Sequence, residues 1–208
     1  MNFLRRHWFD IGGIMGGVIL IFLFFACHKL SNYQMLMWLN LVSLFFHQME
    51  EYRIVGTFPG MINSVMFHSD LPDRYPLNTN TSFLINVGIG WTIYLLAALA
   101  GKQYIWLGMA SILVSLGNII AHTFIFNIRG KTFFNAGLAT CWIFFVPCVF
   151  YFFKIIYREN LVTGKDFLIG VPLGIVINIA GVFKPIKWLA DRNTTYIFKT
   201  NQLLPKDR

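Results

Sequence analysis

Residues 33–51 read YQMLMWLNLVSLFFHQMEE, and the fold follows from how this stretch ends. Positions 33–46 carry no charged side chain and form an apolar run of helix length. An imidazole and two carboxylates then arrive within five positions, and Arg53 follows at once. At helical spacing His47, Glu50 and Glu51 stand at i, i+3 and i+4, so all three project from one face. A charge near the centre of a bilayer costs on the order of 2.5–3.5 kcal/mol. Carboxylates at a helix C-terminus also face the negative end of the helix dipole. Placed where a membrane helix reaches the surface, such a cluster needs a cation or a transferable proton to offset it.

Composition agrees with a membrane setting. The 208 residues are 56% hydrophobic and 12% charged, with 22 phenylalanines. Soluble domains carry roughly 25% charged residues, so this chain falls in the integral membrane class. The net charge of +8 is therefore no nucleic-acid footprint. Much of it lies after Phe183, where Lys184, Lys187, Arg192, Lys199, Lys206 and Arg208 outweigh Asp191 and Asp207. Basic flanks of this kind anchor a chain to anionic lipids. Cys27, Cys141 and Cys148 lie in apolar runs at no metal-like spacing, which argues against a disulfide framework. The N-terminal run ending at Cys27 loosely resembles a lipoprotein signal, but Phe24 fits that pattern poorly. It reads as a retained first span.

Apolar runs of spanning length fall near 11–27, 33–56, 82–100, 104–126, 134–156 and 167–183. The expected fold is all-α: a polytopic transmembrane bundle of about six spans in one domain, 1–208, with a basic cytoplasmic tail at 184–208. The long connection 57–81 reads as an ordered loop or a re-entrant element. With the N-terminus inside, twelve of the seventeen Lys and Arg fall on the inner side, so both termini are expected in the cytoplasm. If the source is prokaryotic, the site is the cell membrane. This topology brings the end of the second span to the same depth as Asn118 and His122 in the fourth. The start of the fifth, Phe134-Asn135-Ala136-Gly137, lies at that depth too.

Histidines and carboxylates converging from neighbouring helices can hold zinc, iron or manganese. The expected ligands are His47, Glu51 and His122, leaving a position for water. Glu50 is then the expected general base, with Asn118 as a polar support. The spacing H-x-x-E-E is neither the zincin pattern nor the di-iron one. Two other readings stay open. Glu50 and Glu51 can pair with Arg53, Arg129 or Lys131 in an ion-pair network, or the cluster can handle protons. Asn86 and Asn178 read as interhelical hydrogen bonders, His68 and Asp70 as a lid or a solvated pair. Asn135 reads as a helix cap, and Gly137 as a point of close helix approach.

These residues resemble the HXXEE-motif family of membrane proteins, which is marked by H-x-x-E-E, a second histidine and a Y-x-P-G motif. The first motif is intact as His47-Gln48-Met49-Glu50-Glu51, and His122 matches the second histidine. The third looks like Phe134-Asn135-Ala136-Gly137, with Phe for Tyr and Ala for Pro. The resemblance runs over roughly 40–150 and implies a site without naming a reaction. The function expected from the residues is metal-dependent hydrolysis of a lipid or other amphiphile at the cytoplasmic leaflet, with membrane lipids as partners. The alternative is a non-enzymatic membrane protein, a small transporter or structural subunit. A one-sided polar cluster favours a pocket over a conduit.

Overall fold

The computed structural model describes residues 2–208. Six long helices make up the architecture: α1 (Asn2–Ala26), α2 (32–54), α3 (79–100), α4 (105–130), α5 (Leu138–Arg158) and α6 (Gly164–Trp188). No strand occurs among the described residues. Four helical stretches are long and apolar enough to cross a membrane. One of them, Thr79–Gly130, has 52 residues. It is broken at Gly101, whose φ of 57° and ψ of −142° suit a residue without a Cβ, and its arms α3 and α4 pack against each other.

The second helix falls short on apolarity because it needs no lipid-facing surface. Eleven residues of its Asn32–Met49 stretch are buried, against five of the 25 in α1. It packs on α1, α3 and α5, while α6 lies along α4. A helix enclosed by protein can carry Asn40, Ser43, His47 and Gln48 wherever each finds a partner. Asn40 does so with Ser111 and Ser115 of α4, and Ser115 with Tyr94 of α3, at 2.8–3.4 Å. Asn178 of α6 donates to Leu113 O at 3.1 Å, and Gln48 of α2 donates to Asn86 of α3 at 2.9 Å. Both asparagines join helices, as their positions within spans predict.

Caps mark the helix starts. The Ser31 hydroxyl accepts from Gln34 N, the Asn78 side chain from Asn80 N and Thr81 N, and Thr163 forms a capping box with Asp166. At one end of the bundle Glu159 takes Lys102 at 2.8 Å and Asn32 at 3.0 Å. These bonds hold its carboxyl below the usual range and gather three connections at that end. The opposite end holds both termini and the 55–78 connection. Arg5 bonds Asn80, Phe198 N donates to Asp73 O, and Thr79 N donates to Tyr196 O.

That connection is ordered. A short helical segment, 58–66, is followed by a loop that Asn63 holds through three bonds to Pro72 and Leu77, at 2.8–2.9 Å. The expected basic tail does not trail free: Phe198, Gln202 and Leu203 are buried, and Gln202 donates to Tyr52 O at 3.0 Å. The tail covers the end of the bundle where the second and fourth helices finish.

Candidate functional site

Five of the six helices contain a π-helical turn, and three of those turns lie at the cluster. The π-helical turns Glu50–Ile54, Ala121–Ile125 and Cys141–Phe145 contain Glu50 and Glu51, His122, and Cys141. Such turns insert a residue into the α-helical repeat and re-aim the side chains around them. At Cys141 the cause is local. Pro147 has no N–H to offer Ile143 O, four residues back, so the helix must yield there.

His47, Glu51 and His122 meet. His47 Nε2 lies 3.6 Å and His122 Nε2 3.4 Å from Glu51 Oε1, and all three residues are buried. The imidazoles stand nearly perpendicular, 4.8 Å between centroids.

The hydrogen-bond network assigns the protons. Asn135 Nδ2 donates to His122 O and to Asn127 Oδ1, both at 2.8 Å, which uses both amide protons. Its oxygen therefore faces His122 Nδ1 at 2.6 Å, and that nitrogen must carry the hydrogen. The Thr140 hydroxyl gives its single proton to Glu50 Oε2 at 2.6 Å, so at 3.0 Å it accepts from His47 Nδ1. With Nδ1 so occupied, the neutral form of each ring turns an Nε2 lone pair inward. The Nε2 of His47 has no hydrogen-bond partner among the described residues. In that form two lone pairs and a carboxylate oxygen face one another. At zinc–ligand distances of about 2.0–2.2 Å, ligand atoms in a tetrahedral site stand ~3.3–3.6 Å apart. The two contacts with Glu51 have this length.

Cys141 is the donor that sequence spacing missed. Donor atoms of His47, His122 and Cys141 lie within 4.8 Å of one another, a buried group able to hold a metal ion. The thiol approaches His47 at Nδ1, 3.8 Å away, the edge that Thr140 already uses. Glu51 faces the free Nε2 edge of both rings.

Glu50 sits elsewhere than a general base should. Its carboxylate accepts from Ala139 N at 3.2 Å, Thr140 N at 2.8 Å and the Thr140 hydroxyl, at the N-terminus of α5 where the helix dipole favours an anion. Its oxygens are spent on that helix start. Asn135 is not the cap of α5 but the clamp on His122, and Glu50 does the capping from α2. Asn118 donates to Val114 O at 3.0 Å and lines the adjoining cavity. No Lys or Arg pairs with Glu50 or Glu51 among the described residues, because Arg53 turns to Asp10 of α1. His68 is exposed, and Asp70 pairs with Arg192 at 2.6 Å.

Substituting Asn135→Ala leaves His122 Nδ1, His122 O and Asn127 Oδ1 without their partner. A buried polar group left unpaired costs about 1–3 kcal/mol. Denaturant titration in detergent should show at least one such loss, and an unchanged midpoint would refute the clamp.

A cavity of ≈ 350 Å³ opens beside the cluster. His47, Glu51 and His122 lie in its wall, and the rest is mostly aliphatic, with Ile85 and Ile89 from α3, Val114 from α4 and Ile177 from α6 among the contributors. Its size is that of a small ligand pocket.

The family model of proteins of unknown function with an HXXEE motif matches residues 38–152, and the chain belongs to that family. The matched region holds His47, Glu50, Glu51, His122, Asn135, Thr140 and Cys141. No curated protein and no solved structure matches the chain.

Proposed function

We propose that this chain is a multi-pass membrane enzyme that holds one divalent metal ion and hydrolyses an amphiphile bound in the cavity. His47 Nε2, His122 Nε2 and Glu51 are the ligands. The observation that carries the reading is the meeting of two Nε2 atoms, on rings held from their Nδ1 sides, with one oxygen of a buried carboxylate. Zinc suits this donor set best, with iron and manganese next. When bound, the ion supplies a polarised water whose pKa falls toward ~7. Hydrolysis is preferred over oxidation because it needs only one metal. In the reaction, water oxygen bonds to the acyl carbon, the acyl C–O bond breaks, and a water hydrogen leaves on the alcohol.

Glu50 is a positioning residue in this reading. Through Thr140 it holds His47 Nδ1–H, as carboxylates and carbonyls orient metal-binding histidines generally. The aliphatic cavity wall supports an apolar substrate chain. Lys and Arg counts favour the cytoplasmic side for the end that carries the termini and the cluster, in a reading that takes the six helices as spans.

The test is elemental mass spectrometry on protein purified in detergent without chelator, together with ester hydrolysis by the same sample. About one zinc, iron or manganese ion per chain and turnover that a chelator abolishes are expected. A metal-free wild type would sink the proposal in favour of proton handling by the same cluster.

A further inference from the structure

The cavity has a second polar wall that the metal reading does not use. Trp91 Nε1, which can only donate, bonds Gln48 Oε1 at 2.7 Å. That fixes the Gln48 amide, whose nitrogen donates to Asn86 Oδ1 at 2.9 Å. Asn86 Nδ2 in turn donates to Ser82 O at 2.9 Å and to the Tyr52 hydroxyl oxygen at 3.4 Å. The chain of donors ends on Tyr52, whose own proton has no acceptor among these bonds. Ser82 Oγ, in the same wall, stands beside the Tyr52 hydroxyl and has no hydrogen bond within 3.5 Å among the described residues. Both residues are more than nine-tenths buried, at 3% and 1% exposure.

A bond between these two hydroxyls would use one of their protons and leave the other without an acceptor, which calls for an acceptor from outside. The cavity lining decides its charge, because no Lys or Arg is in it. At this wall, away from the histidines, a phosphate would find no Lys or Arg to balance its charge. A neutral oxygen would meet only donors at this wall.

We infer that Tyr52 and Ser82 form a subsite for the carbonyl oxygen of a neutral acyl ester or amide, whose chain lies along the aliphatic wall. The inference rests on the proposed hydrolysis and names its substrate class. The Trp91–Gln48–Asn86 chain orients the Tyr52 hydroxyl, so the subsite is set before substrate arrives. Tyr52 directly follows Glu51, which places the carbonyl donors next to a proposed metal ligand.

The test uses three non-hydrolysable probes on the full chain in detergent: a long-chain alkyl ketone, the matched ether and the matched alkyl phosphate. Binding is read by tryptophan fluorescence, with metal content measured on every sample. Wild type should bind ketone about tenfold tighter than ether, as one or two hydrogen bonds provide, and after metal removal by chelator it should bind phosphate no better than ether. In Tyr52→Phe with Ser82→Ala the ketone preference should fall to about twofold or less, with metal content unchanged. Equal binding of ketone and ether by wild type, or phosphate binding tightest to the metal-free protein, would overturn the subsite. A ketone preference in metal-free, inactive wild type would keep the subsite and remove the hydrolase. Turnover without a ketone preference would do the reverse.

Discussion

Substitution of His122 by alanine is expected to empty the metal site, taking metal content from about one ion per chain to background. His122 provides one of three inward donors, and with it gone only His47 and Glu51, both from the end of α2, remain on the Nε2 side. His47→Ala should give the same result, because it removes another of the three inward donors. Glu51→Gln tests the charge. It keeps the shape and an oxygen but removes the anion that makes a dication tolerable in a buried site, and metal should again be lost. Cys141→Ala separates the two possible donor sets. If Glu51 completes the site, this variant keeps its metal; if the His47, His122 and Cys141 group is the site, it loses it. The pattern across the four variants, read by elemental mass spectrometry, is more discriminating than any one of them. Metal retained in both histidine variants would refute the assignment.

The histidine variants should stay folded well enough to be measured. His122→Ala leaves Asn135 Oδ1 without its donor, a cost of about 1–3 kcal/mol. Removing the ring also removes a lone pair that faces a carboxylate, which offsets part of that loss. Asn135→Ala, with the same clamp broken but the ring kept, is the reference against which the stability of His122→Ala should be compared.

Much of this architecture is legible in the sequence because apolar runs of spanning length have few alternatives to helix. Helices occupy all six predicted stretches. Helix α2 is the instructive case: its polar residues lower its apolarity, yet they mark it as the helix that the others surround. The meeting of His47 and Glu51 with His122 is legible too, since i, i+4 spacing and matched depth are properties of the chain alone. What spacing could not do is separate Glu50 from Glu51. At i+3 and i+4 both lie on one face of an ideal helix, and only the widened turn sends Glu50 to the start of α5 and Glu51 to the histidines.

The residues around the cluster were hidden for a different reason. Asn135, Thr140 and Cys141 act through the way the 131–137 turn folds back, and that geometry has no periodic signature. Spacing along the chain gives Cys141 no metal-like partner, because its relevant neighbour is His47 on another helix. The tail was read from its charge. Its buried Phe198 and Leu203 show that a short irregular segment can cap a bundle through a few apolar anchors.

Gly137 supplies the sharpest test of how tightly the two rings are packed. It stands at φ 106° and ψ −17°, a left-handed conformation that residues with a Cβ rarely adopt. A Cβ there would run into His122 Cε1, lie 2.7 Å from His122 Nδ1 and 2.8 Å from His47 Cε1. Neither ring can step aside, because Asn135 holds one and Thr140 the other. The backbone strain costs about 1–3 kcal/mol, and forcing extra volume into a packed site about 1–3 kcal/mol more. Gly137→Ala should therefore lose roughly 2–6 kcal/mol, a large part of an ordinary protein's ~5–15 kcal/mol, and its metal as well. Gly17→Ala is the matched control. That glycine lies within α1 with nothing inside 4 Å of its would-be Cβ, so alanine there should be neutral or stabilise by about 0.5–1 kcal/mol. Denaturation midpoints in one detergent, with metal content alongside, compare the two directly. If Gly137→Ala behaves like Gly17→Ala, the histidines are not packed against that turn and the three-donor site loses its geometric basis.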